Sequence, residues 1–322
     1  MGYAATLAGV ARRRPDGPPP PTRAGGRVAS ALRADEACYP AAVPKPMDRG
    51  DLATYSRARF ARAEYAYDVY RKGQGPAVII LAEMPGISPQ VLGFADRVVA
   101  LGCTAVLPHL FGTPGRDPLV RDLSTSLYAA STLARACVSR EFTTFATGRS
   151  SPVVSYLRAL ARHEHERCGG PGVGVVGMCF TGGFGLAMAV EPCVLAPVLS
   201  QPSMPIGPTA DHRRGIDCSR EDLQRVKQRC ATDGLQVVGL RFHGDPLVPA
   251  ERFDFLRDTL GEAFVAVELD QADGHPDSPL PRHHSVLTAS LIDEPGARTR
   301  DALDRVLDLF RTRLLLDADL AS

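Results

Sequence analysis

Apolar and polar positions along the chain follow two alternating rhythms. "AEYAYDVYR" (63–71) alternates residue by residue, the period of a half-buried strand, whereas "AVIILAE" (77–83) is a continuous apolar run rich in β-branched residues, as an inner strand covered on both faces requires. "SPQVLGFADRVVALG" (88–102) changes to helical spacing, with Ser88 placed as N-cap and Gly102 at the end. Strand "TAVLPHLFG" (104–112) follows, and helix resumes at "SSPVVSYLRALARHEHER" (150–167), where Ser151 before Pro152 reads as a cap and first-turn pair. Then come strand "VGVVG" (173–177), helix "FTGGFGLAMAV" (180–190), strand "CVLAPVLS" (193–200) and helix "REDLQRVKQRC" (220–230). Strand "LQVVGLRFHG" (235–244), helix "PAERFDFLRDTLG" (249–261), strand "AFVAVELD" (263–270) and a last helix near "TRDALDRVLDLFRTRLL" (299–315) complete the series. Strands alternating with helices predict an α/β fold with a mostly parallel central sheet and helices on both faces. In such sheets a site forms at the carboxyl ends of the strands.

Two stretches fall outside this rhythm. Residues 111–148 are rich in Gly, Pro, Ser and Thr, with a helical patch around Leu127–Cys137, and read as an excursion above the sheet. Residues 1–46 hold "RRRPDGPPPPTRAGGR" and "YPAAVPKP", basic and proline-rich without periodicity. They read as a disordered extension or, with Met47 as the true start, as a mis-called one, leaving residues 47–322 as a single domain.

Composition narrows the function classes. Hydrophobic content of 44% with 23% charged residues is globular, and a formal net charge of +1 leaves no electrostatic footprint for nucleic acid or an anionic membrane. No stretch approaches the roughly 20 apolar residues of a spanning helix. The N-terminal arginines follow a short apolar segment, the reverse of a secretory signal, so the expected location is cytoplasmic. The eight cysteines lie far apart, with neither a C-x-x-C pair nor zinc-like spacing, and read as buried, reduced thiols apart from Cys179. "HEHE" at 163–166 is not a metalloprotease pattern and reads as a solvated helix face. No metal or organic cofactor is implied.

Cys179 is different because it stands where strand "VGVVG" stops and glycines begin. A nucleophile on a strained strand-to-helix turn needs small neighbours, and the following helix presents a positive end that favours a thiolate. Here the run is Gly177-Met178-Cys179-Phe180-Thr181-Gly182-Gly183, with Thr181 where a further small residue is expected. Asp245 in "RFHGDPLVPAERF" lies just past a strand and ahead of a helix, where a carboxylate can orient a histidine. His275, His283 and His284 stand between the last strand and the last helix, completing the chain order nucleophile, acid, histidine.

Over about residues 60–315 the chain resembles the dienelactone hydrolase family of α/β-hydrolases. The shared marks are a cysteine elbow, a D-x-x-V-P segment (Asp245 to Pro249), a histidine in a GH or H-S-F setting, and an early glutamate, Glu83 in "LAEMPGI". His284 heads "HSVLT" and is preferred as the family histidine; His275, which follows Gly274, is the alternative, and His283 reads as a loop residue. The resemblance implies the α/β-hydrolase fold, a monomer or homodimer, and hydrolysis of a small ester or lactone through an acyl-cysteine. It implies that Glu83 holds the resting Cys179 thiol, that Asp245 fixes the histidine, and that the backbone N–H groups of Phe180 and Met84 form the oxyanion hole. Arg140 and Arg149, in the excursion, are candidates to meet a substrate carboxylate. Two rival functions are a non-catalytic small-molecule-binding protein on the same scaffold and a class I amidotransferase-like enzyme. The latter wants a His and a Glu two apart late in the domain, and no such pair follows Cys179.

Overall fold

The computed structural model describes residues 49–278 and 281–316; the extension expected over residues 1–46 lies outside them. Eight strands form one sheet: β1 (Ser56–Arg62), β2 (Tyr65–Lys72), β3 (Ala77–Leu81), β4 (Thr104–Pro108), β5 (Val173–Met178), β6 (Val194–Ser200), β7 (Val237–Phe242) and β8 (Phe264–Leu269). Their spatial order is β1-β2-β4-β3-β5-β6-β7-β8. β1 and β2 form an antiparallel hairpin, β2 meets β4 antiparallel, and every later pairing is parallel. This is the α/β-hydrolase fold.

Strands β3 and β5 are apolar without interruption because both faces are covered, whereas β7 admits Arg241, buried and paired with Glu268 (2.7 Å). Along β3, Ile79 and Leu81 enter one core while Val78 and Ile80 enter the other. The first core is roofed by α3 (Val153–Cys168), α4 (Gly182–Met188), α6 (Arg220–Thr232) and α7 (Ala250–Leu260). The second is closed by α1 (Pro89–Ala100) and α8 (Arg298–Phe310). The remaining helices are α2 (Leu123–Val138) and the short α5 (Ala210–Arg214).

Several elements differ from the sequence expectation. β1 has no apolar rhythm: "SRARFAR" is almost wholly exposed and is held by its ladder to β2 and by Arg57 on Asp68 (2.5 Å). The helical patch in the excursion extends to the whole of α2, which starts where Asp122 accepts from the Thr125 N–H (2.6 Å). Ser88 caps α1 as expected, accepting from Val91 N–H (3.2 Å). Ser151 does not cap α3, because its N–H (2.7 Å) and hydroxyl (2.5 Å) are both committed to the buried Asp217. "HEHE" is a solvated face only in part: His163, which stacks on Phe60, and Glu166 are exposed, but Glu164 is fully buried, paired with Arg71 (2.5 Å) and Arg167 (2.8 Å) where α3 packs on the sheet. Burial works against ionisation of Glu164, but the two guanidinium partners outweigh it and lower its pKa.

Candidate active site

Topology brings the predicted residues to one edge. Glu83 lies just past β3, Cys179 directly after β5, Asp245 past β7, and His284 in the loop between β8 and α8, all at the carboxyl ends of the strands.

The elbow is built by strain and by the absence of side chains. Cys179 holds φ +53°, a conformation that non-glycine residues rarely adopt and that lifts the side chain off the sheet end. A Cβ on Gly177 would lie 2.3 Å from the Thr181 carbonyl oxygen, and one on Gly182 would lie 2.4 Å from Pro202 Cα, so the turn closes only with glycine at both. Thr181 has a definite job. Its buried hydroxyl accepts from Met178 N–H (3.0 Å) and donates to Leu81 O (2.9 Å), pinning the elbow to the end of β3 and so to the segment that carries Glu83 and Met84.

Asp245 and His284 are both buried, and Asp245 Oδ2 meets His284 Nδ1 at 2.6 Å. The other carboxyl oxygen accepts from Leu247 N–H (2.9 Å), which fixes the carboxylate in place. His284 Nε2 is buried and makes no hydrogen bond of ordinary geometry among the described residues, yet Cys179 lies close enough to act on it. Burial pushes the His284 pKa down, but the charge of Cys179, the Asp245 hydrogen bond and lesser contributions from the same two residues outweigh it and hold it well above the usual histidine value. Catalytic hydrogen bonds are often long before substrate binds. The thiol itself is partly exposed, 3.5 Å from Ser203 Oγ, and Cys179 O accepts from Ser203 N–H (2.9 Å).

Glu83 is not where the family resemblance would put it. No hydrogen bond joins it to Cys179; its carboxyl group is taken up by Ser285 Oγ (2.7 Å), Gln201 Nε2 (3.1 Å) and the Thr288 hydroxyl. Two of those donors, Ser285 and Thr288, follow His284 in the same loop, so Glu83 anchors the histidine loop. His275 is held elsewhere. Its N–H donates to Ser290 O (2.9 Å), its Nδ1 accepts from Asp277 N–H (3.2 Å), and it lines a small cavity with Gln90 and Thr288. His283 packs on Phe242, with burial and the neighbouring His275 lowering its pKa.

Phe180, directly after Cys179, is buried in a cluster with Phe111, Phe142 and Phe184. Phe111 and Phe142 also wall a cavity of about 870 Å³ under α2, into which Tyr128, Arg116 and Arg135 face. Arg140 and Arg149 are exposed and do not line it. Among the described residues no cluster of His, Cys, Asp and Glu has metal-holding geometry, no helix is long and apolar enough to cross a membrane, and the cysteines are free thiols, of which Cys103 and Cys218 are buried as expected while Cys137, Cys168, Cys193 and Cys230 are only partly so.

Sequence reading missed Gln201, Ser203, Ser285 and Thr288. Polar residues directly after the apolar strand β6, "SQPS", were the available signal, since strand ends are where sites form. Gln201 is itself fully buried at φ +37°.

Comparison with known proteins adds the following. The model of a family described as the dienelactone hydrolase family matches residues 64–314. No curated protein matches the chain. Similar solved structures include a dienelactone hydrolase-like promiscuous phosphotriesterase from metagenomic libraries, at 16% identity and a TM-score of 0.49, covering 81% of this chain and 98% of that one. A 2,6-dihydroxy-pseudo-oxynicotine hydrolase is 15% identical, with a TM-score of 0.48 over 79% of this chain and 68% of that one. A cold-adapted esterase from an Arctic intertidal metagenomic library is 14% identical, with a TM-score of 0.47 over 81% and 93%.

Proposed function

The chain belongs to the dienelactone hydrolase family, and on that premise we propose that it hydrolyses a small ester or lactone through a Cys179 acyl-enzyme. Membership of the family makes it a hydrolase; the nucleophile and the bond cleaved are our reading. The observation that carries it is the combination of a strained cysteine at φ +53° with a buried histidine bonded to a buried aspartate at 2.6 Å.

In this reading His284 Nε2 takes the thiol proton as sulfur attacks the carbonyl carbon, and Asp245 holds the ring in the tautomer that leaves Nε2 free to accept. The oxygen of the tetrahedral intermediate is met by the N–H groups of Phe180 and Met84, the latter making no hydrogen bond to any described residue. Collapse expels the alcohol, which takes its proton from His284. Water, deprotonated by the same ring, then attacks the thioester, releases the acid and restores the thiol. Glu83 contributes by holding Ser285 and Thr288, and the cavity under α2 offers room for the larger substituent of the substrate.

The test is hydrolysis of a short p-nitrophenyl ester and a dienelactone by wild type and by Cys179→Ala, His284→Ala and His275→Ala. Wild type and His275→Ala turn over, and the other two fail. Equal rates in Cys179→Ala and wild type would refute the reading.

A further inference from the structure

Arg252 is among the most buried of the described side chains, 1% exposed, and its five hydrogen bonds to the described residues all go to backbone carbonyls. It sits in the first turn of α7, the end of a helix that disfavours a cation. Its side chain instead meets backbone oxygens only. A guanidinium has five N–H donors in one plane, and each is used: Nε on Gly215 O (2.6 Å), Nη1 on Pro202 O (2.7 Å) and Leu247 O (3.2 Å), and Nη2 on Pro205 O (3.0 Å) and His212 O (2.8 Å). Burial lowers its pKa to about 10, with Asp245 as the opposing charge, so it stays a cation at neutral pH.

Those five carbonyls come from helix α5, through His212, and from three loops, before α5, after α5 and between β7 and α7; two of the loops touch the proposed chemistry. Pro202 and Pro205 bracket Ser203, which meets Cys179 through both its hydroxyl and its N–H. Leu247 is the residue whose N–H fixes Asp245. We propose that Arg252 is a positioning residue for the hydrolytic reaction: its five-way fork locks the Ser203 loop to the Asp245 loop and so sets Cys179 and His284 in register. The inference rests on the Cys179 reading above. Lysine cannot replace it, since a lone ammonium with three donors leaves at least two of these carbonyls unmet.

The experiment compares wild type, Arg252→Lys, Arg252→Met and Ser203→Ala, each normalised to folded protein by circular dichroism and thermal melting. Two readouts are taken: kcat and KM for a p-nitrophenyl ester, and the rate of Cys179 alkylation by iodoacetamide, followed by peptide mass spectrometry. Both Arg252 variants should lose about tenfold or more in kcat with little change in KM, and alkylate Cys179 more slowly, as expected when reacting groups shift by a fraction of an ångström. Unchanged kcat and alkylation per folded molecule, whatever the melting temperature, would overturn the proposal and leave Arg252 a purely structural residue. If neither Arg252 variant folds, Ser203→Ala carries the test: slower Cys179 alkylation supports a loop held in place for the thiol, and an unchanged rate overturns it. Failure of the underlying reading looks different, because wild type itself would then be inert towards esters and Cys179 would alkylate no faster than the half-buried Cys137 and Cys168; the inference would fall with it.

Discussion

Replacing Asp245 by Asn removes a charge while keeping the shape of the side chain. The structure dictates how the new amide must sit. Leu247 N–H, 2.9 Å from Oδ1, requires an oxygen there, so the NH₂ group takes the Oδ2 position opposite His284 Nδ1. Nδ1 must then be the unprotonated nitrogen, and the ring proton moves to Nε2, the atom that has to accept from Cys179. The wrong tautomer costs about 10³–10⁴ in kcat in triad enzymes, or about 4–5.5 kcal/mol of transition-state stabilisation at 1.36 kcal/mol per decade. Stability suffers much less, because a charge-assisted bond worth about 1.5–3 kcal/mol is exchanged for a neutral one worth about 1 kcal/mol. The assay is kcat/KM for a short p-nitrophenyl ester across the pH range, beside the urea midpoint of the same preparation. A folded Asp245→Asn variant within about tenfold of wild type at neutral pH would refute the tautomer argument.

Three further outcomes follow from the same packing and hydrogen bonds. Gly177→Ala places a methyl 2.3 Å from the Thr181 carbonyl oxygen and should destabilise by about 1–3 kcal/mol or more, visible as a lower melting temperature together with lost esterase activity. Thr181→Val keeps the volume but strands the Met178 N–H, so a loss of about 1–3 kcal/mol in urea unfolding is expected, with a lower kcat as the Glu83 segment loosens. Asp217, outside the site, has its pKa pushed up to about 6 by burial, against the hydrogen bonds from Ser151 and Thr143. A raised carboxylate contributes stability that is complete below its unfolded value near 3.9 and is lost as pH rises through the folded one. Asp217→Asn should therefore remove a decline on the order of 2–3 kcal/mol between roughly pH 4 and 6, seen as the difference between variant and wild-type urea midpoints; parallel curves would count against it.

The inner sheet was legible because burial on both faces leaves no room for polar residues in β3, β5 and β6, and the helices between them announce themselves through caps such as Ser88. β1 was not, since an exposed edge strand held by backbone pairing carries no apolar signal. The elbow could be read because its geometry excludes side chains at Gly177 and Gly182, leaving a mark in the sequence itself. Glu83, Ser203 and Arg252 take their meaning from partners far away in the chain: Ser285 and Thr288 for the first, Cys179 for the second, five backbone carbonyls for the third. Nothing local distinguishes Arg252 from the exposed arginines around it, and only the family-like "HSVLT" setting favours His284 over His275. Only the folded chain gives Asp245 to His284.

Trapping the acyl-enzyme tests the central claim most directly. Wild type and His284→Ala would be mixed with p-nitrophenyl acetate, quenched in acid within the first turnover and digested for peptide mass spectrometry. The account predicts one acetyl group on Cys179 in wild type and none in His284→Ala under the same pulse. Steady turnover with Cys179 unmodified, or with the acetyl group on another residue that Cys179→Ala also acquires, would contradict it.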